Sequence, residues 1–234
     1  MSYAPIREKL ARNETVILDG AIGTEILRRQ VSWADHQLTS RPDVIRSIHA
    51  DYIRVGADVI TTNSFQLCRR ALYNHFRDAA HRRHIGARDL DERANKMLAA
   101  SVHLACEARA RVAPGRPVVV AGSATTLEWC FRPDLAPAAE QARDEYREIF
   151  QVMTEAGADL VLVETVNNIT EARVAVEVAK EVGLPCWVSF VCDERGRLFT
   201  GETMAQAAAA VTPLGVEAIL LNCAPPEDIT AGLR

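Results

Sequence analysis

One unit recurs along this chain: an amphipathic helix, a glycine, then a short apolar strand that ends on polar residues. A helix over 41–55 is followed by Gly56 and Ala57-Asp-Val-Ile-Thr-Thr-Asn63, and a helix over 142–156 by Gly157-Ala-Asp-Leu-Val-Leu-Val-Glu-Thr165. A helix over 171–182 leads to Gly183-Leu-Pro-Cys-Trp-Val-Ser-Phe190, and one over 204–213 leads through Gly215 to Glu217-Ala-Ile-Leu-Leu-Asn-Cys223. In the first helix Val44, Ile45, Ile48, Tyr52 and Val55 share a face, and Pro42 suits its first turn. Glycine beyond the last turn supplies the left-handed residue on which many helices stop. Val16-Ile-Leu-Asp-Gly20 and Pro117-Val-Val-Val-Ala-Gly-Ser123 add two more strands, making six. Strands alternating with helices specify an α/β fold with a parallel sheet. Repetition of the whole unit, without the glycine spacing of a dinucleotide fold, favours a (β/α)8 TIM barrel. The strand ending at Cys223, four apolar residues between Gly215 and Pro225-Pro226, is expected to be buried on both faces.

With 234 residues, 48% of them hydrophobic, the chain can bury one large core and is expected to form a single domain over 1–234. A net charge of -4 leaves no basic footprint for nucleic acid or an anionic membrane. No apolar run reaches membrane-spanning length, and Met1-Ser-Tyr-Ala-Pro-Ile-Arg-Glu-Lys9 lacks the core of a secretion signal, so the expected location is the cytoplasm. Cys68, Cys106, Cys130, Cys186, Cys192 and Cys223 show no Cys-x-x-Cys spacing and are expected to remain free thiols.

In a parallel barrel the carboxyl ends of the strands face one mouth, where ligands bind. Here those ends carry Asp19 with Gly20, Thr62 and Asn63, Ser123, Glu164, Ser189, and Asn222 with Cys223. A thiol in that place either packs as a small hydrophobe or does chemistry. The two acids either cap and pair locally or hold an ammonium group. The turn Gly20-Ala-Ile-Gly23 lets a ligand approach the backbone but lacks the lysine of a phosphate-binding loop. Residues 65–114 exceed what one unit needs. His81 and His84 fall there among Arg82, Arg83 and Arg88, a setting that suits a solvated face better than a cation site. Residues 125–137, with Trp129, Cys130 and Phe131, form either a loop over the mouth or a hydrophobic plug.

Five motifs in order, Asp19-Gly-Ala-Ile-Gly-Thr24, Gly56-Ala-Asp-Val-Ile-Thr-Thr-Asn-Ser-Phe65, Gly157 to Thr165, Trp187-Val-Ser-Phe190 and Asn222-Cys-x-x-Pro-Glu227, resemble the homocysteine S-methyltransferases. The resemblance runs from about Val16 to Arg234. It implies a (β/α)8 barrel, homocysteine and a small methyl donor as partners, and zinc held by three cysteines. Cys223 matches the first of these, and Asp19 and Glu164 match the acids that hold the amino group of homocysteine. Thr62, Asn63, Gly20 and Asn222 fall beside them. Zinc would deprotonate the substrate sulfur, and a small onium compound, S-methylmethionine or S-adenosylmethionine, is the expected donor because no cobalamin or folate module is present.

The chain departs from that pattern in two places. The other two zinc cysteines of the family are adjacent and follow strand eight, whereas this chain has no Cys-Cys pair and ends at Arg234, after strand six. A chain lacking two units is expected to leave the edges of strands one and six unpaired and open to self-association. Ser123-Ala-Thr-Thr-Leu-Glu128 also replaces a loop that in the family is richer in glycine and proline. Two other readings therefore remain: a catalytically silent partial barrel acting as an assembly partner, and a zinc-free lyase using Asp19 and Glu164 as acid and base.

Overall fold

The computed structural model describes residues 3–31, 41–74 and 90–234; the His81 and His84 pair lies outside them. Helices α1 (Ala4–Ala11), α2 (Ile22–Arg28) and α3 (Pro42–Arg54) precede strand β1 (Val59–Thr61). The long crossover then holds two described helices, α4 (Arg69–Asn74) and α5 (Leu90–Val112), before β2 (Val119–Thr125). From there the rhythm is regular: α6 (Ala139–Ala156), β3 (Leu160–Val166), α7 (Ile169–Glu181), β4 (Cys186–Phe190), α8 (Met204–Val211), β5 (Ala218–Leu221) and α9 (Pro226–Gly232). The strands lie side by side in chain order, every pair parallel, as a five-stranded half-barrel.

Glycine ends α6 as the sequence suggests: Gly157 sits at φ +98°, and Gly56, just past α3, at φ +112°. The first expected strand is shorter than 16–20. It joins the sheet through a single bridge, Leu18 to Val59, with Asp19 N donating to Val59 O at 2.9 Å. Among the described residues this segment pairs with β1 alone, and Ile17 is exposed, so little holds a longer ladder together. The strand ending near Cys223 also differs from expectation. Its residues are half-buried and Ile219 is exposed, because β5 pairs only with β4 among the described residues.

Period-two alternation sorts each strand into two faces. Ile60, Val118, Val120, Val161, Val163 and Val188 face the helices in the main core. Val59, Val119, Ala121, Leu160, Leu162 and Trp187 face inward, where Tyr3 and Ile6 of the N-terminal segment close the floor. There Trp187 Nε1 donates to the Tyr3 hydroxyl at 2.8 Å, with the rings edge to face. Full burial of each such side chain is worth about 1.5–3 kcal/mol, so the floor is firmly anchored. The same inward rows turn polar one step further on, at Thr61, Ser123, Glu164, Ser189 and Asn222. A dry floor and a polar mouth therefore follow from one alternation. No described helix is long and apolar enough to cross a membrane.

Candidate active site

At the mouth β3 breaks its pairing register with β4 between Val163 and Val166. An irregularity of this kind re-aims side chains. Here it leaves Glu164 on the inner face and puts Thr165, fully buried, at φ +57°. Glu164 Oε1 accepts from Ser123 Oγ, and its Oε2 accepts from Asn222 Nδ2 at 3.1 Å. Asn222 Oδ1 accepts in turn from Thr165 N at 3.0 Å and from Ser189 Oγ at 2.8 Å. The Asn222 amide is thereby fixed in orientation, with its nitrogen toward the carboxylate. The Thr165 hydroxyl, itself accepting from Asn222 Nδ2 at 3.0 Å, donates to Cys223 Sγ at 3.3 Å. Cys223 is exposed, so of the two meanings of its thiol the packed one is excluded.

Asp19 reaches the same mouth from the other side. Its Oδ2 accepts from Thr61 N at 2.8 Å and its Oδ1 from Thr61 Oγ1 at 2.9 Å. Burial pushes the Asp19 carboxyl up to about 7; the Thr61 bonds pull against this and the charge on Glu164 adds to it. Burial likewise raises Glu164, opposed by Ser123. Neither acid has a cationic side chain among its described hydrogen-bond or ion-pair partners. Both carboxyl groups have charged forms disfavoured by burial, that of Asp19 also by Glu164, and a cation placed between them would favour both charged forms.

Thr62 and Asn63 lie one strand over. Thr62 is buried, with its hydroxyl 2.6 Å from Ser64 Oγ and accepting from Ser123 N at 2.9 Å, so it supports the mouth from behind. Asn63 Nδ2 is shielded from solvent and has no hydrogen-bond partner among the described residues. Gly20 is a glycine for a local reason: a Cβ there would stand 2.7 Å from the Tyr52 hydroxyl. Glu164, Asn222 and Cys223 are thus joined by direct hydrogen bonds. Asp19 is coupled to Glu164 through charge, Thr62 braces the mouth from behind, and Asn63 and Gly20 follow the ends of their strands.

Sequence reasoning missed Thr165, Thr61 and Asn167. Thr165 followed a noted acid, but a β-branched residue in left-handed backbone leaves no sequence signal. The stretch 125–137 is tied down at its inner end, where Cys130 is buried, while Trp129 and Phe131 stand exposed; it is a loop over the mouth rather than a plug. Burial pushes the Cys130 thiol up to about 11.

The resemblance implies zinc, and the donor set here does not fit a complete site. A catalytic zinc needs three protein ligands, and no group of three His, Cys, Asp or Glu side chains able to hold a metal occurs among the described residues. Of the six cysteines Cys223 is exposed, Cys68 and Cys106 are half-buried, and Cys130, Cys186 and Cys192 are buried.

Residues 16–234 match the family model described as homocysteine S-methyltransferase. Homocysteine S-methyltransferase 4 of Zea mays is 29% identical over 91% of this chain and 66% of its own length. The chain thus spans about two thirds of the length of that relative. Homocysteine S-methyltransferase of Escherichia coli is 29% identical over 98% of the chain and 76% of its own length, and selenocysteine Se-methyltransferase of Brassica oleracea 27% over 91% and 66%. Among solved structures, the homocysteine methyltransferase MmuM of Escherichia coli in its metallated form superposes with a TM-score of 0.81 at 26% identity, covering 100% of this chain and 82% of the other.

Proposed function

From the premise that the chain belongs to the homocysteine S-methyltransferase family, we propose that it binds homocysteine at the sheet mouth and serves methyl transfer to the homocysteine sulfur, giving methionine. The observation that carries this reading is the hydrogen-bonded set Glu164, Asn222, Thr165 and Cys223, with Asp19 facing it. Asp19 and Glu164 take the substrate ammonium, which relieves their mutual repulsion and draws both to the ionised state. Asn63 Nδ2 donates to the substrate carboxylate, and Gly20 keeps the turn beside it low. Asn222 and Thr165 hold the wall that carries Cys223. With the amino acid end fixed, the thiol is held toward the donor for in-line attack, a positioning effect that saves orientational entropy.

The donor in this proposal is a small onium compound, S-methylmethionine or S-adenosylmethionine, and the parent architecture is a (β/α)8 barrel. Zinc enters only as far as Cys223: the described residues contribute one thiolate ligand, two short of a catalytic set, and no step is assigned to the metal. The test is methyl transfer from labelled S-methylmethionine to homocysteine, beside a Cys223→Ser control. Transfer lost in the control supports the reading; no transfer from either onium donor overturns it. One observation favours a second reading. Asp19, titrating near 7, is poised as an acid or base, as a zinc-free lyase would need. In that case Cys223→Ser would leave activity unchanged.

A further inference from the structure

Two loops at the mouth are fastened to one residue. Asn167 Nδ2 donates to the Cys130 carbonyl at 2.7 Å, and the Asn167 carbonyl accepts from Thr200 Oγ1 at 3.3 Å. The first contact ties down the loop between β2 and α6, and the second the loop between β4 and α8. Asn167 is itself buried, and its Oδ1 accepts from Asn168 Nδ2 at 2.8 Å, which fixes the amide orientation. Asn168 and Glu171 brace this anchor further: Glu171 Oε1 accepts from Leu127 N at 2.6 Å and from the Tyr146 hydroxyl at 2.9 Å.

Next to the two anchored residues stand Phe131 and Phe199. Their ring centroids are 5.8 Å apart and tilted by 54°, yet the side chains are 48% and 39% exposed. A buried polar anchor here holds in place a ring pair that contributes little to the core. The loop of Phe131 reaches the reacting end of the site: its neighbour Cys130 is near enough to Cys223 and Glu164 for their charges to help raise its thiol.

Charge around the pair favours a cation. Asp19 and Glu164 lie in the same mouth. On the hairpin of Phe199, closed by Leu198 N donating to Glu202 O at 2.9 Å, Glu202 Oε2 is shielded and without a partner among the described residues. On the same two loops Arg132 is paired with Asp134, while Arg197 donates to the Gly201 carbonyl and keeps its charge, which together with that of Arg195 is matched by Asp193 and Glu194.

We propose that Phe131 and Phe199 form the aromatic wall that receives the positively charged, methyl-bearing centre of the donor. This rests on the methyl-transfer reading above and adds the residues that select an onium donor. Ring faces attract a cation through their quadrupole, and a sulfonium gains from this what a neutral thioether does not. In the reaction the homocysteine sulfur forms the new S–CH3 bond and its proton goes to solvent. The donor S–CH3 bond breaks, its electron pair stays on the donor sulfur, and the product is neutral. The wall therefore holds the donor and releases the demethylated product.

The experiment is calorimetric titration of the chain, saturated with homocysteine, with S-methylmethionine and with homoleucine, in which CH replaces the sulfonium sulfur. The expected result is about tenfold tighter binding of the sulfonium. In Phe131→Leu/Phe199→Leu, which keeps bulk and loses the ring faces, the preference falls to within about twofold; Phe199→Leu alone loses part of it. Equal binding of the two ligands by the unaltered chain, or a preference that survives both substitutions, overturns the proposal. Methyl transfer is measured separately. A ring-dependent preference without transfer supports the wall and overturns the methyl-transfer reading, whereas transfer with a preference indifferent to the rings overturns the wall alone.

Discussion

The Thr165 hydroxyl donates to Cys223 Sγ across 3.3 Å, and both residues hold left-handed backbone, at φ +57° and +55°. Neither is glycine, and threonine is β-branched, so the conformation costs about 1–3 kcal/mol at Thr165. The irregularity in β3 and the fixed amide of Asn222 hold it there. What the strain provides is direction: the hydroxyl points along the mouth to the sulfur.

Thr165→Ser and Thr165→Val should therefore separate strain from chemistry. Serine keeps the donor and loses the β-branch, and should raise the melting temperature by about 2–4 °C, the equivalent of ~1 kcal/mol in a chain of this size. Valine keeps the branch and removes the donor. It also leaves Asn222 Nδ2 short of one acceptor, and should slow alkylation of Cys223 by iodoacetamide several-fold. Equal alkylation rates in the two variants would show that the hydroxyl does not act on the thiol.

How much of this was legible in the sequence follows from what each part depends on. The repeat of helix, glycine and strand depends on local pattern, and β1 to β5 appear in that order with Gly56 and Gly157 in left-handed backbone. Asp19, Glu164 and Cys223 stood out because each polar group ends an apolar run. The burial of β5 was misjudged because a run of apolar residues does not say whether a neighbour lies on both sides. Thr165 and Asn167 were invisible because their roles come from a register break and from two loops meeting, both products of tertiary packing.

Asp19 gives a pH-dependent prediction. Its carboxyl is raised by burial from 3.8 to about 7, so the folded state prefers the protonated form. A carboxyl raised in this way weakens the fold progressively as pH rises from about 4 to about 7, because the unfolded chain loses its proton first. Asp19→Asn keeps both contacts to Thr61, with its oxygen toward the backbone N–H and its nitrogen toward the hydroxyl, and carries no charge. At pH 8 it should be more stable than the unaltered chain by ~1–2 kcal/mol after allowance for solvent, and at pH 4 no more stable. Homocysteine binding should fall at least tenfold at pH 8 and far less at pH 4, where the Asp19 carboxyl is already protonated and neutral. Denaturant midpoints at the two pH values, beside homocysteine titrations, check the pair of effects.

His49 should act in the opposite sense. It is fully buried on α3, and neither ring nitrogen has a hydrogen-bond partner among the described residues. Burial lowers it from 6.5 to about 4. The folded state then prefers the neutral ring, so its contribution is fully present above about 6.5 and is lost as pH falls toward about 4. At pH 5 the loss is about 2 kcal/mol. His49→Leu, similar in bulk and without the ionisable ring, should be more stable than the unaltered chain at pH 5, with the gap narrowing by that amount at pH 8. A gap independent of pH would show that the ring does not titrate on unfolding.

The last prediction concerns metal. The resemblance to zinc enzymes and the geometry of this chain pull in different directions, and ligand number decides between them. One accessible thiolate, Cys223, holds zinc weakly, since tight sites use three or four protein ligands and the described residues offer no group of three. Cys130 does not make up the shortfall, because it is buried and its thiol is pushed up to about 11, which disfavours the thiolate that zinc requires. Purified after zinc-supplemented expression and dialysed against a mild chelator, the chain should retain well under one zinc per molecule by elemental analysis. Cys223→Ser should change that figure little. If the chain instead retains about one zinc, and the substitution removes it, groups beyond those described complete the site, and the Cys223 thiolate is a true metal ligand in this chain.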